Sequence, residues 1–365
     1  MTPRERVLTI LKGQQPDQVP WFGDLSYWFA SLNSTGKMPD HYRGEGEFQF
    51  HRDLGVGFYL QGYFPFRPEY EGVRIHHAQR GHEFVDTVDT PVGNLRQVRR
   101  YLPESFCEAI VEHYVKDWRD LAVIRYWYEH AHYVPEYDLA HRRYEVIGDN
   151  GVVLCYLPKS PLMELIVLLA GLEATTHLWV DAQEEFDETL RVLSTKADEA
   201  AAIAVRSPAE CLMIPENLSS EMVGKQWFER YLRPYEERWN ACIEEAGKYS
   251  FVHMDGTLRG LIAEVASSGF RVIEALTPAP AGDIPMSELR SRVGSDQTIL
   301  WGGLPGAYFS DTVGDQDFDR FVVETLEVMT SAPRFVLGVA DQVPPDARLE
   351  RIRRVGELTE RYGNY

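Results

Sequence analysis

Cysteine is scarce in this chain of 365 residues, and what there is lies scattered: Cys107, Cys155, Cys211 and Cys242, with no CxxC pair. That speaks against disulfide stapling and against a zinc site built from thiolates alone. Isolated cysteines of this kind read as small buried hydrophobes. Long apolar runs are missing too. The longest, residues 162–170, is broken by Glu164 and reads as a buried helix, well short of the roughly 20 residues that span a bilayer. The opening stretch MTPRERVLTILKGQQPDQVP has no apolar core of a secretory signal, so a cytoplasmic protein without a membrane partner is expected. Positive charge is in deficit: 37 Lys and Arg against 56 Asp and Glu give a net charge of -19. Phosphate backbones need clustered cations, so a nucleic-acid partner is not expected. An acidic surface serves solubility; it leaves room for a basic protein partner and is compatible with a homodimer. No P-loop, GxSxG, EF-hand or HExxH pattern is present.

What the chain does have is a rhythm. Thr2-Pro3-Arg4-Glu5 fits a capping box with proline at the first helical position, and Val7, Leu8, Ile10 and Leu11 follow at helical spacing up to Gly13. DQVPWFGDLSYWF reads as a strand running into an aromatic loop. Short alternating runs between Val56 and Tyr101 (VRIHHAQ, HEFVDTVDTPVG, LRQVRRY) predict β-hairpins. In the second half, strands ECLMIPEN, YSFVHMDG, FRVIEAL, QTILWGG and RFVLGVAD alternate with helical segments. Such alternation implies a parallel sheet with crossover helices. The expected fold is α/β: a single (β/α)8 TIM barrel over residues 1–365, with a hairpin and aromatic insertion at about 56–150. A doubly wound sheet is the alternative, although no glycine-rich dinucleotide turn follows the first strand.

Barrel chemistry gathers at the C-terminal ends of the strands. The polar residues there are Asp24, Glu216, Asn217, His253, Asp255, Glu274 and Asp341. His253 and Asp255, two apart on a strand, share a face. With Glu274 and Asp341 they form a candidate site for a divalent metal, zinc or a harder ion. Each also has a plainer explanation: a core histidine, an Asp-Gly turn, acids at helix N-termini. Glu216 and Asn217 are candidates for acid–base work or substrate binding, or for helix capping. The aromatic stretches SYWFASL, GFYLQGYFPF and IRYWYEHAHYVPEY would line an apolar pocket for a flat ring or pack hairpins onto the barrel. The HAH of His130 and His132, with His141 nearby, matches no ligand pattern and reads as a surface loop.

The N-terminal TPRERVLTILKGQQPDQVP, the central LWVDAQEEFDETL and the C-terminal series HMDG, GFRVIEALTPAPAGDIPMSELRSRVG, ILWGGLPG and FVLGVADQVPPDARLERIRRV together resemble the uroporphyrinogen decarboxylase superfamily. The resemblance implies a (β/α)8 barrel. True uroporphyrinogen decarboxylases use no metal and hold substrate carboxylates with an arginine-rich N-terminal segment. Here VPWFGDLSYWF stands in that place without an arginine. The other branch holds cobamide-dependent methyltransferases, which move a methyl group between a corrinoid protein and a thiol or a methoxylated compound. The thiol enzymes bind zinc with a His-x-Cys pair and a later Cys before Pro-Pro; this chain matches with His253, Asp255 and Asp341. Carboxylates in place of thiolates would make a harder Lewis acid and favour an oxygen-bearing substrate. The implied activity is methyl transfer to or from a small, methoxylated substrate, with the corrinoid on a partner protein. The alternatives are a metal-free lyase for a small aromatic or tetrapyrrole acid, with Arg259 and Arg271 as candidate cations, and a non-catalytic barrel that delivers a methylated ligand.

Overall fold

The computed structural model describes residues 1–59, 62–332 and 334–365. The helix Pro3–Leu11 opens with the expected capping box: the Thr2 hydroxyl accepts from the Glu5 amide at 3.1 Å and the Glu5 carboxylate accepts from the Thr2 amide at 2.8 Å. The strands follow as β1 (Trp21–Phe22), β2 (Phe58–Tyr59), β3 (Phe66–Tyr70), β4 (Arg74–Arg80), β5 (Glu83–Thr90), β6 (Gly93–Leu102), β7 (Cys107–Glu112) and β8 (Ala131–Pro135). Then come β9 (Gly151–Val152), β10 (Leu154–Tyr156), β11 (Cys211–Leu218), β12 (Tyr249–Met254), β13 (Val272–Leu276), β14 (Ile299–Pro305) and β15 (Phe335–Ala340).

Seven of these form one parallel sheet in the order β1-β15-β14-β13-β12-β11-β10. β2 pairs in parallel with β9, and a parallel bridge joins Phe22 to Gly57 beside β2. The fold is therefore α/β with a curled parallel sheet, and the strand–helix alternation of the second half is present as expected. β4 to β7 make a separate antiparallel sheet, and β3 pairs antiparallel with β8. The expected hairpins are thus in place. The stretch SYWF differs from expectation: it belongs to the helix Ser26–Ser34 rather than a loop. Trp28 and Ser31 of that helix are buried and bond the carbonyls of Ala347 and Pro345, tertiary contacts that outweigh a weak local signal.

Strand parity sorts the core into two faces. Phe22, Cys211, Met213, Phe251, Val272, Ile299, Trp301 and Val336 form an inner cluster with Val7, Ile10 and Leu11 of the N-terminal helix. The intervening Leu212, Ile214, Val252, Ile273, Leu300 and Leu337 join the larger cluster that packs against the helices. Arg271, just before β13, holds the Leu11 carbonyl at 2.6–2.8 Å, so the N-terminal helix covers the N-terminal edge of the sheet. The opposite, C-terminal edge stays open.

Trp301 fills the middle of the inner face, edge-on to Phe22 at 5.1 Å, Tyr59 at 4.8 Å and Phe251 at 5.7 Å. Replacing it with alanine removes a fully buried ring from a wall that cannot collapse. Trp301→Ala is expected to lower the unfolding free energy by about 3–5 kcal/mol, read as a shift of the urea midpoint at unchanged slope.

Candidate active site

The inner face continues upward from this apolar layer into polar residues. Phe251 pairs with Val272, and two residues on His253 pairs with Glu274. The period of two keeps both side chains inward, and parallel register sets them side by side. Glu274 is fully buried. Its Oε2 accepts from His253 Nδ1 at 2.7 Å and its Oε1 from the Tyr59 hydroxyl at 2.5 Å. The imidazole is thereby fixed in orientation and tautomer, with Nε2 turned to the open edge. Nε2 lies 3.8 Å from Asp341 Oδ1.

His253 opens onto a cleft of about 840 Å³ at the C-terminal edge of the sheet, where it meets Asp24, Glu47, Tyr59, Tyr156, Asn217 and Asp341. Backbone geometry is unusual there. Asn217, Ala275 and Asp341 adopt φ of 57°, 67° and 67°, a left-handed conformation uncommon outside glycine. Register shifts in the β11–β12 and β13–β14 pairings fall beside the first two. Irregularities of this kind re-aim side chains at strand ends and concentrate at functional sites.

Burial alone would lower the His253 pKa, but Glu274, Asp255 and Asp341 outweigh it and lift it to about 9. The surrounding carboxylates favour the charged ring, and Nε2 is the nitrogen that faces the cleft. Half of the Asp341 side chain is open to the cleft. Enclosure by the walls, joined by Glu274, Asp255 and Asp24, still raises its pKa to about 6, against the pull of His253. Burial likewise raises Asp24, whose carboxylate accepts from the Ser26 amide at 2.8 Å.

The expected site residues are only partly brought together. His253 and Asp341 converge. Glu274, expected among metal ligands, stands behind His253 with both oxygens accepting hydrogen bonds, where it positions the ring. Asp255 is near enough to influence both charges, yet among the described residues no three His, Cys, Asp or Glu side chains are placed to hold an ion. The 3.8 Å gap between His253 and Asp341 is too long for a hydrogen bond. It is close to the roughly 3.4 Å that two donors span on one tetrahedral ion with bonds of about 2.1 Å. Two donors fit an ion and the third is not assembled.

Asn217 lines the cleft, but Glu216 does not. Glu216 shares the parity of Leu212 and Ile214, points outward and is fully buried, accepting from the Ser160 amide at 2.8 Å and hydroxyl at 3.1 Å. Burial raises its pKa to about 7, opposed by Lys159. In this arrangement it holds Ser160, and Asn217 is the member of the pair that reaches the cleft. Arg259 bonds the Asp283 carbonyl and Arg271 the Leu11 carbonyl; neither lines the cleft. His130 ends a helix and His132 lies in β8 opposite Glu69.

Two cations that do line it have no counterpart in the sequence expectations: Lys159 and Arg143. Lys159 donates to the Pro215 carbonyl and to Asn217 Oδ1, the latter at 3.1 Å, and burial lowers its pKa. Arg143 stacks over the Tyr63 ring at 4.9 Å. Lys159 follows β10 at its C-terminal end, the same signal that marks Asn217 and Asp341.

The family model for uroporphyrinogen decarboxylase (URO-D) matches residues 150–362. The chain belongs to the uroporphyrinogen decarboxylase family. The match contains His253, Glu274 and Asp341 and stops short of the antiparallel strands. No curated protein matches the sequence. Among solved structures, a methyltransferase from Methanosarcina mazei is similar over 99% of both chains, with a TM-score of 0.63 and 14% identity; at that identity the likeness is one of fold.

A pH signature follows from the His253–Glu274 pair. A histidine whose folded pKa lies near 9, against an ordinary 6.5, binds protons more tightly in the folded state. Its stabilisation is complete below about pH 6.5 and is lost as pH rises through about 9. In chelator-containing buffer, the gap in urea midpoint between wild type and His253→Gln should be widest at the acid end of that window and close toward its alkaline end.

Proposed function

We propose that this chain is a methyltransferase that works with a separate corrinoid protein, moving a methyl group from or to a small, oxygen-bearing substrate such as a methyl ether. The observation that carries this reading is the His253 arrangement: a ring locked by a buried carboxylate, its Nε2 offered to an open cleft beside Asp341. Family membership and the fold shared with a methyltransferase support it. We read the curled sheet, with β2 and β9, as a closed (β/α)8 barrel carrying the antiparallel strands as an insertion.

His253 Nε2 and Asp341, with Asp255 drawn in from the adjoining turn, are the residues that would hold a divalent ion, zinc being suited to imidazole with carboxylates. When bound, such an ion supplies Lewis acidity toward a substrate oxygen. The protein's own groups do the remaining work. Glu274 and Tyr59 keep the proton on Nδ1 and so leave Nε2 for the cleft. Asn217, tethered by Lys159, offers its amide to orient the substrate. The aromatic walls of Tyr59, Phe58 and Tyr156 keep water from the methyl group.

A second reading is favoured by one specific observation, the presence of Lys159 and Arg143 in the cleft. In a metal-free lyase these cations would hold a substrate carboxylate. A neighbouring C–C bond would break with release of carbon dioxide, and the carbanion would take the proton from His253 Nε2.

Elemental mass spectrometry of purified protein, beside Asp255→Ala and Asp341→Ala, separates the two. The methyltransferase reading expects about one divalent ion per chain, lost in both variants. It also expects the conversion of Co(I) corrinoid to methylcorrinoid with a methoxylated substrate, slowed at least about 100-fold in His253→Ala. No metal after reconstitution, with carbon dioxide released from a carboxylate substrate, would give the lyase reading its place. Glu274→Gln should reduce methyl transfer and metal affinity about 10- to 100-fold while leaving the urea slope unchanged.

A further inference from the structure

A second chamber adjoins the cleft. Phe64, Phe66, Tyr70, Trp127, Tyr128 and Tyr133 surround a cavity of about 300 Å³. The rings brace one another: Phe66 meets Tyr133 at 5.5 Å, Tyr70 meets Trp127 at 6.4 Å and Trp127 meets Tyr128 at 5.5 Å. Lys159, Phe64 and Leu168 line both this chamber and the cleft, so the two are neighbours. Leu168 comes from a turn of π-helix, Leu165–Leu169, that begins directly after Glu164; such turns are frequent at functional sites.

Glu164 is the one carboxylate lining the chamber. The Tyr128 hydroxyl donates to its Oε1 at 2.6 Å. Among the described residues no Lys, Arg or His forms an ion pair with it. Lys159 shares the chamber wall, but its ammonium is bonded to Pro215 and Asn217 on the cleft side. Burial raises the Glu164 pKa, against the pulls of the Tyr128 hydroxyl and of Lys159, and a carboxylate so enclosed gains from a further cation beside it. The ring faces around it are themselves negative and attract cations. A neutral flat ring would add nothing to the partial compensation that Lys159 gives the carboxylate. A small hydrated cation would lose its water shell to walls that cannot replace it. A cation whose own surface is apolar meets both demands.

We propose that this chamber binds a methylated ammonium group, its charge beside Glu164 and its methyl groups against the aromatic faces. The aromatic walls at residues 64–133 precede the segment matched by the family, residues 150–362, while Glu164, Lys159 and Leu168 lie within it. The inference does not depend on the methyl-transfer reading, because binding alone tests it.

The test is isothermal titration of the full-length protein with choline chloride, with choline's neutral carbon isostere and with anisole, against sodium chloride as control. Choline should bind, and the isostere should bind at least about tenfold more weakly. Glu164→Gln, which still accepts from Tyr128, should weaken choline about tenfold and leave the isostere unchanged. Tyr133→Leu, which removes a wall and no charge, should also weaken choline. Absence of choline binding at millimolar concentration, equal binding of the isostere, or unchanged choline affinity in Glu164→Gln would each overturn the proposal. Anisole binding more tightly than choline would make the chamber a pocket for a neutral ring.

Discussion

A carboxylate sealed from water must find all its partners within the protein, and Glu274 finds them on two other strands. Tyr59 reaches it from β2 and His253 from β12, while it sits on β13 itself. Three strands are thus held together at one point of the inner face, directly above the layer plugged by Trp301. Below that point the sheet interior is filled by the apolar inner cluster; above it lies the cleft. Removing the carboxylate would leave a buried imidazole and a phenol without their acceptor, a loss larger than the hydrogen bonds themselves. Everything the cleft can do with His253 depends on this contact.

The cleft above it is electrically lopsided. Asp24, Glu47 and Asp341 lie toward β1 and β15, while Lys159 and Arg143 approach from the segment around β10. Opposed charges along low-dielectric walls concentrate the field between them, and a polar substrate entering there has a preferred direction. Asn217, bonded to Lys159 and held in a left-handed conformation, sits near the boundary between the two sides.

Much of this was legible in the sequence. Parallel strands buried on both faces appear as short apolar runs between turn signals, and β11 through β15 were found that way, together with their terminal polar residues. The same double burial hides the facing of Glu216: Leu212, Met213, Ile214 and Pro215 are all apolar, so parity cannot be told from hydrophobicity, and only the contacts separate Asn217, on the cleft, from Glu216, on Ser160. Glu274's position behind His253 was hidden for another reason, since a ligand and the residue that orients a ligand are both inward carboxylates at strand ends. Lys159 carried the right signal on a strand too short to be noticed. Arg143 carried none, because it reaches the cleft from a helix. A two-residue strand such as β2 has no periodicity to read, and the helix at Ser26–Ser34 is held by partners more than 300 positions away in the chain.

The aromatic walls come from one stretch of chain and the His253 site from another. A ring exchanged at Tyr70 or Tyr133 alters the shape of the side chamber without touching the strands that hold His253, Glu274 and Asp341. Selection could therefore retune what the molecule recognises while leaving what it does to the recognised molecule intact. Ligand preference in relatives sharing this sheet should drift faster than chemistry.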